Sequence, residues 1–125
     1  MFWNSLRAGM VAAGFVFIAG GADHASAQSR QSFSGMASYY AKDYAGKTAR
    51  GDRYDATKFT AAHRTLPFGT RLIVTDPKSS RSVTVIVNDR GPFTKGRVLD
   101  LSYAAAGVLR MYHRGVMRVS AAIDQ

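Results

Sequence analysis

Alternating hydroxyl and β-branched residues from 82 to 87 predict a half-buried β-strand that stops at Gly91 and Pro92. Ser102 opens an alanine-rich segment that reaches Leu109, which predicts one short helix with Ser102 as its N-cap. Several short strands with one helix indicate a mainly β fold, most simply a small barrel. The patterns predict further strands at residues 35–41, 71–75, 98–101 and 116–123.

The first 27 residues have the pattern of a secretory signal peptide. Arg7 supplies a positive charge, residues 8–21 are almost wholly apolar, and the small residues 25–27 offer a cleavage site. The apolar run is shorter than the roughly 20 residues that cross a bilayer, so a cleaved signal is favoured over a membrane-spanning helix. We therefore expect an exported chain without stable membrane insertion, with residues 28–34 as a flexible lead and residues 35–123 as one domain.

The chain contains no cysteine, and its 17 lysines and arginines outnumber 8 acidic residues for a net charge of +9. Disulfides, thiolate zinc sites and lipid-modified cysteines are thereby excluded, so core packing and hydrogen bonds must stabilise the domain. The charge indicates an anionic partner, such as nucleic acid, lipid head groups or a cell-wall polymer. Export and the scattered basic residues argue against nucleic acid. A generally basic, solvated surface is the alternative.

The end of the predicted 82–87 strand is the main candidate active site. Asn88 and Asp89 follow its apolar run directly, which places a carboxylate on a rigid strand end beside a loop. The alternative is that both residues only cap a turn, because Asn, Asp, Gly and Pro are the commonest turn residues.

A second polar cluster lies in the loop of residues 43–54 and just beyond it. Asp52 and Asp55 are three residues apart, so they either face one cleft or form surface ion pairs with nearby arginines. His63 follows among small residues. A lone histidine is more often structural, but beside a carboxylate it can orient that group or share its proton. A metal site on these residues is disfavoured because the usual zinc-ligand spacing is missing.

Five short motifs follow one another along the predicted domain. They are Gly35-x-Ala37-Ser38-x-Tyr40, Thr48-Ala49-x-Gly51-x-x-Tyr54-Asp55, Thr60-Ala61-Ala62-His63-x-Thr65-Leu66-Pro67-x-Gly69-Thr70, Asn88-Asp89-Arg90-Gly91-Pro92-Phe93 and Asp100-Leu101-Ser102-x-Ala104-Ala105. In this order and spacing they closely resemble the catalytic domain of the RlpA family of septal-ring lytic transglycosylases, and more distantly the first domain of expansins. The resemblance implies a six-stranded double-psi β-barrel with one short helix.

The resemblance also implies an activity, which is endolytic cleavage of peptidoglycan glycan strands between N-acetylmuramic acid and N-acetylglucosamine. The C6 hydroxyl of the muramic acid attacks in place of water and leaves a 1,6-anhydro end, and naked, peptide-free strands are preferred. One carboxyl can serve by protonating the leaving oxygen and then taking the hydroxyl proton. Ordinary glycoside hydrolysis uses two carboxyls instead. No cofactor and no metal are implied.

By motif position the resemblance assigns catalytic roles to four residues, with Asp89 as the acid/base. This role requires Arg90 to point away from the Asp89 carboxylate. The family usually has glutamate where this chain has Asp52, so the side chain is one methylene shorter, and a misplacement of about 1 Å can cost a catalytic group about 10²-fold. The assigned catalytic residues are Asp89, His63, Asp55 and Asp52, and the substrate-binding residues are Tyr40, Thr48, Tyr54, Asn88 and Arg90.

The alternative function is a non-catalytic, expansin-like module that binds wall glycan through its basic surface and tyrosines. The two functions predict different arrangements of the side chains. If the domain is an enzyme, we expect Asp89 to lie near His63 and near Asp52 or Asp55 in an open groove. Family members often carry an acylated N-terminal cysteine and a C-terminal SPOR domain, and we expect neither here. The expected protein is a soluble monomer in the periplasm or secreted, and not a lipoprotein.

Overall fold

The computed structural model describes residues 31–124. The signal peptide predicted for residues 1–27 lies outside this part of the chain. The described residues form strands β1 (Ser32–Tyr39), β2 (Thr60–Ala62), β3 (Arg71–Thr75), β4 (Ser82–Asp89), β5 (Arg97–Leu101) and β6 (Met117–Ile123), and helix α1 (Tyr103–Val108). Among the described helices, none has the length and apolar character needed to cross a membrane.

The six strands close into a barrel in the order β1-β5-β2-β4-β3-β6. β1 pairs in parallel with β5, and β2 pairs in parallel with β4. The other neighbours are antiparallel. Two parallel pairs within a closed six-stranded barrel, with one short helix, confirm the predicted mainly β, double-psi architecture. Because closure pairs the edges of the strands, the strand ends and the loops that follow them are the places where a functional site can form.

The strand predictions hold with two differences. β1 begins at Ser32 and pairs with β6 from that residue, so residues 32–34 belong to the barrel and not to the predicted flexible lead. β2 is absent from the sequence-based prediction, because three residues are too few to show an alternating pattern. The predicted helix cap is confirmed, since the Ser102 side chain accepts a hydrogen bond from the Ala105 N–H.

The core lies inside the barrel and beneath α1. Alternate residues of β3 and β4 are buried, as expected for strands with one face toward a core. Ala105 and Ala106 bring the buried side of α1 against the same cluster. The largest fully buried side chains are Leu72, Leu99, Leu101, Leu109, Met111, Met117, Val74, Val85, Val87 and Val119. This packing holds the ends of β1, β4 and β5 in fixed positions relative to one another.

Candidate active site

Asp89 is the last residue of β4, and three donors face its carboxylate. Oδ1 accepts from the Ala49 N–H at 2.7 Å and from its neighbour, the Arg90 N–H, at 2.8 Å. Oδ2 accepts from the Tyr40 hydroxyl at 2.5 Å. The residue is partly exposed. The carboxylate is therefore held in one orientation at the barrel rim while it remains accessible from outside.

The guanidinium of Arg90 points away from this carboxylate. Its Nη1 donates to the backbone carbonyls of His63 at 3.1 Å and Leu66 at 2.8 Å. Its Cζ lies 4.0 Å from the centroid of the Phe68 ring. Arg90 thus stabilises the segment after β2, and within residues 31–124 Asp89 has no ion-pair partner. An acid/base role requires this arrangement.

His63 directly follows β2, and its backbone N–H donates to the Asp89 carbonyl at 3.1 Å. Its ring faces the following turn, because Nδ1 accepts from the N–H groups of Thr65 at 3.1 Å and Leu66 at 3.0 Å. Burial, followed by the charges of two neighbouring arginines, lowers the pKa of His63. The ring is therefore neutral at pH 7, with its proton on Nε2. The predicted proximity to Asp89 holds for the backbones, while the ring stabilises a turn.

Asp52 is exposed and bonded to its own loop. Its Oδ2 accepts from Arg50 Nη2 at 2.9 Å, and its Oδ1 accepts from the Thr48 hydroxyl at 2.5 Å. The hydrogen bond from Arg50, then that from Thr48, holds the pKa of Asp52 well below its usual range. Asp52 is thus a constant anion at working pH, and the buried Thr48 offers little surface to a ligand.

Asp55 is engaged in a local turn. Its Oδ1 accepts from the Thr57 N–H at 2.9 Å and from the Thr57 hydroxyl at 2.6 Å, and these bonds lower the pKa of Asp55. Within residues 31–124, neither Asp52 nor Asp55 hydrogen-bonds to Asp89. The two aspartates share a surface near the strand end without sharing a hydrogen bond with the candidate acid/base.

Two open depressions lie near the end of β4. The first has a volume of about 430 Å³ and is lined by the loop of residues 50–58 and by Asn88. The second has a volume of about 460 Å³ and is lined by the ends of β1 and β5 and by the loop after β4, including Arg90. Asn88 lines the first depression and Arg90 lines the second, so the two chain neighbours of Asp89 border different depressions.

Asn88 is a buried polar residue of the site whose side chain has no hydrogen-bonding partner within residues 31–124. It is only 5% exposed, and it borders the first depression. Its backbone carbonyl accepts from the Arg50 N–H, but its carboxamide bonds to none of the described residues. Buried amides are normally hydrogen-bonded. A polar group bound in the first depression would supply the missing partner.

Asp100 is a site residue that the sequence analysis does not identify. It lies on β5, opposite Ser38 of β1, and its Oδ1 accepts from the Ser38 hydroxyl. It lines the second depression. The signal in the sequence is a carboxylate inside the apolar run of residues 98–101, where a charged side chain is unusual.

Comparison with known proteins decides the family. A family model described as lytic transglycolase matches residues 32–121, which run from β1 into β6. This chain belongs to the lytic transglycolase family. The match includes Asp89 and every other candidate site residue, and it confirms the resemblance drawn from the five motifs.

Curated relatives carry names that agree with this family. The probable endolytic peptidoglycan transglycosylase RlpA of Nostoc sp. is 55% identical over 93 residues, which cover 72% of this chain and 25% of the relative. The endolytic peptidoglycan transglycosylase RlpA of Haemophilus influenzae is 48% identical over 86 residues, which cover 68% of this chain and 30% of the relative. The chain thus spans roughly a quarter to a third of the length of these relatives.

Solved structures share the barrel. A Streptomyces papain inhibitor superposes with a TM-score of 0.63 at 26% identity, covering 76% of this chain and 96% of the inhibitor. An expansin of Clavibacter michiganensis superposes with a TM-score of 0.60 at 24% identity, covering 76% of this chain and 51% of the expansin. The expansin likeness confirms the predicted distant relationship at the level of fold.

Proposed function

We propose that this domain is an endolytic lytic transglycosylase that cleaves the glycan strands of peptidoglycan. The observation that carries the proposal is the placement of Asp89, a partly exposed carboxylate that is held by three donors and whose chain neighbours line two different open depressions. Membership of the lytic transglycolase family and the names of the relatives support it. Open depressions at this strand end suit a bond in the middle of a glycan strand.

The reaction needs one proton transfer from the enzyme to the substrate and one from the substrate back to the enzyme. The Asp89 carboxyl gives its proton to the glycosidic oxygen as the bond from this oxygen to C1 of N-acetylmuramic acid breaks. The resulting carboxylate takes the proton of the C6 hydroxyl while O6 bonds to C1. The products are a 1,6-anhydro end and a free hydroxyl on the departing N-acetylglucosamine. Asp89 ends protonated, as it began, and no water is consumed.

The other predicted site residues support Asp89 in different ways. Asp52, which its ion pair with Arg50 keeps ionised, orders the loop whose Ala49 N–H donates a hydrogen bond to the Asp89 carboxylate. His63 shapes the turn that Arg90 braces. Asn88 binds a hydroxyl or acetamido group of the substrate in the first depression.

We infer that naked strands are the preferred substrate. This preference is the one that the resemblance to the RlpA family implies. The net charge of +9 fits binding of such a strand, because removal of the stem peptide leaves a free lactyl carboxylate on each muramic acid. The composition and the predicted signal peptide fit an exported monomer that acts in the periplasm or outside the cell.

The test is mass spectrometry of intact and amidase-treated sacculi after incubation with the purified protein. We expect anhydro-ended products, in larger amounts from the amidase-treated sacculi. Reducing ends in their place would indicate a hydrolase. No products, together with sedimentation of the protein with the sacculi, would indicate the expansin-like binding module.

A further inference from the structure

The Tyr40 ring is held against Asp89 by other aromatic rings. It stacks on Tyr54 with centroids 4.5 Å apart and contacts Tyr44 with centroids 5.2 Å apart. Tyr54 is itself buried, and its hydroxyl accepts from the Tyr103 N–H at 3.0 Å, which anchors it to the start of α1. The contacts of Tyr40 with Tyr54, and of Tyr54 with the start of α1, therefore hold the Tyr40 hydroxyl toward Asp89.

Counting the acceptor positions of Asp89 shows where a proton can enter or leave. An ionised carboxylate has about four lone-pair positions, two on each oxygen. Both positions of Oδ1 are occupied, by the N–H groups of Ala49 and Arg90. Oδ2 accepts one hydrogen bond, from Tyr40, and keeps one position open. The oxygen that exchanges a proton with the substrate is therefore Oδ2, the oxygen that Tyr40 holds.

Tyr40 stays a donor throughout the working pH range. Burial, then the hydrogen bond to Asp89 and the negative charges of Asp89 and Asp100, raise the pKa of the Tyr40 hydroxyl well above its usual range. The phenol thus remains protonated. A donor that persists can hold the Asp89 carboxyl group in one orientation.

We propose that Tyr40 is a positioning residue that orients Oδ2 of Asp89 toward the substrate. The inference rests on the proposed transglycosylase function and extends it to a residue that the sequence analysis assigned to sugar binding. One face of the Tyr40 ring is covered by Tyr54, which leaves less of the ring to stack on a sugar. The Tyr40 hydroxyl, more than the ring, is therefore the group that positions Asp89.

The test is Tyr40→Phe, which keeps the ring and removes the hydroxyl. Tyr44→Phe is the matched control, because it removes a hydroxyl from the same aromatic cluster without touching Asp89. Tyr40→Phe should lower kcat on naked strands at least about tenfold, because a carboxylate that loses its orientation transfers protons less efficiently. KM should stay within about twofold, because ring contacts are kept.

The division of the effect between kcat and KM separates positioning from other roles. A carboxyl group that has lost its orientation lowers kcat, whereas KM stays nearly unchanged because the ring contacts remain. A raised KM with unchanged kcat would instead assign Tyr40 to sugar binding. Unchanged kcat and unchanged KM would remove it from the mechanism.

A measurement on the wild-type protein keeps the inference testable if Tyr40→Phe does not fold. With ¹³C at Tyr Cζ and Asp Cγ, the NMR spectrum should show the Tyr40 hydroxyl proton close to both Tyr40 Cζ and Asp89 Cγ, because the two groups share one hydrogen bond. A Tyr40 hydroxyl proton that is not close to Asp89 Cγ overturns the inference. Absence of anhydro products from the wild type refutes the proposed function instead, while the hydroxyl contact still decides whether Tyr40 holds Asp89.

Discussion

Asn88 and Asp89 are neighbours at the end of β4, yet their side chains have opposite surroundings. The Asp89 carboxylate accepts three hydrogen bonds, whereas the buried Asn88 amide bonds to no residue between 31 and 124. A fixed and partly exposed carboxylate suits proton exchange. An unpartnered amide at the wall of a depression suits the binding of a polar ligand.

Asn88→Ala should therefore raise KM for naked strands by about tenfold and leave kcat within about twofold, the pattern of lost ground-state binding. Its Tm should equal or exceed that of the wild type, because the substitution removes a buried polar group that has no partner in the free protein. Steady-state kinetics and thermal unfolding check both parts. An unchanged KM with a lowered Tm would mean that the amide has a structural role.

The sequence allows Asp89 to be predicted because an apolar strand visibly ends in a polar turn. It does not reveal what the carboxylate touches, because Tyr40 and Ala49 lie 49 and 40 residues away along the chain. Asp100 is missed for the opposite reason, since it is embedded in an apolar strand that looks purely structural. Site residues supplied by a distant strand leave almost no local pattern.

At the scale of elements, β3 has the predicted bounds, and β4 and β6 are close to theirs because each alternates over five or more residues. β5 begins one residue before the predicted segment 98–101. β1 and β5 also contain a close packing contact that the pattern does not show. A Cβ added at Gly35 would lie 2.5 Å from Val98 Cγ1. Glycine at position 35 thus allows the two strands to pack at their observed separation.

Gly35→Ala should destabilise the barrel by about 1–3 kcal/mol, the usual cost of overpacking, because the stiff Val98 side chain has few other rotamers. Urea unfolding measures the change. Ser34→Ala, at an exposed neighbouring position of β1, should change the free energy of unfolding by less than about 0.5 kcal/mol. Adding Val98→Ala to Gly35→Ala should recover part of the loss, and failure to do so would show that the contact is not the cause.

At the scale of the molecule, the closed barrel brings Tyr40, Asp89 and Asp100 to one rim from three strand ends. Local periodicity cannot supply this order, because the parallel pairs join strands that are far apart in the sequence. The double-psi topology was therefore predicted from the resemblance of the motifs, whereas the residue pattern alone predicted a small barrel.

The net charge of +9 makes a prediction about the whole surface. Sedimentation with naked sacculi should weaken steadily as salt rises from about 50 to 500 mM, because screening shortens the reach of exposed charges. Binding to neutral N-acetylglucosamine oligomers should change little over this range. Equal salt dependence for the charged and neutral glycans would contradict an electrostatic preference for free lactyl carboxylates.

The central claim is that Asp89 exchanges the proton in a glycan-cleaving reaction, and the most direct measurement is the rate of anhydro-end formation from naked strands by Asp89→Asn. Asparagine has nearly the same shape and keeps an oxygen for the backbone donors but cannot serve as the acid/base, so the rate should fall by at least about 10²-fold with the Tm nearly unchanged. Asp124→Asn, at the Arg71 ion pair, is the matched control and should retain full activity. A folded Asp89→Asn protein that forms anhydro ends within about threefold of the wild-type rate would contradict the account.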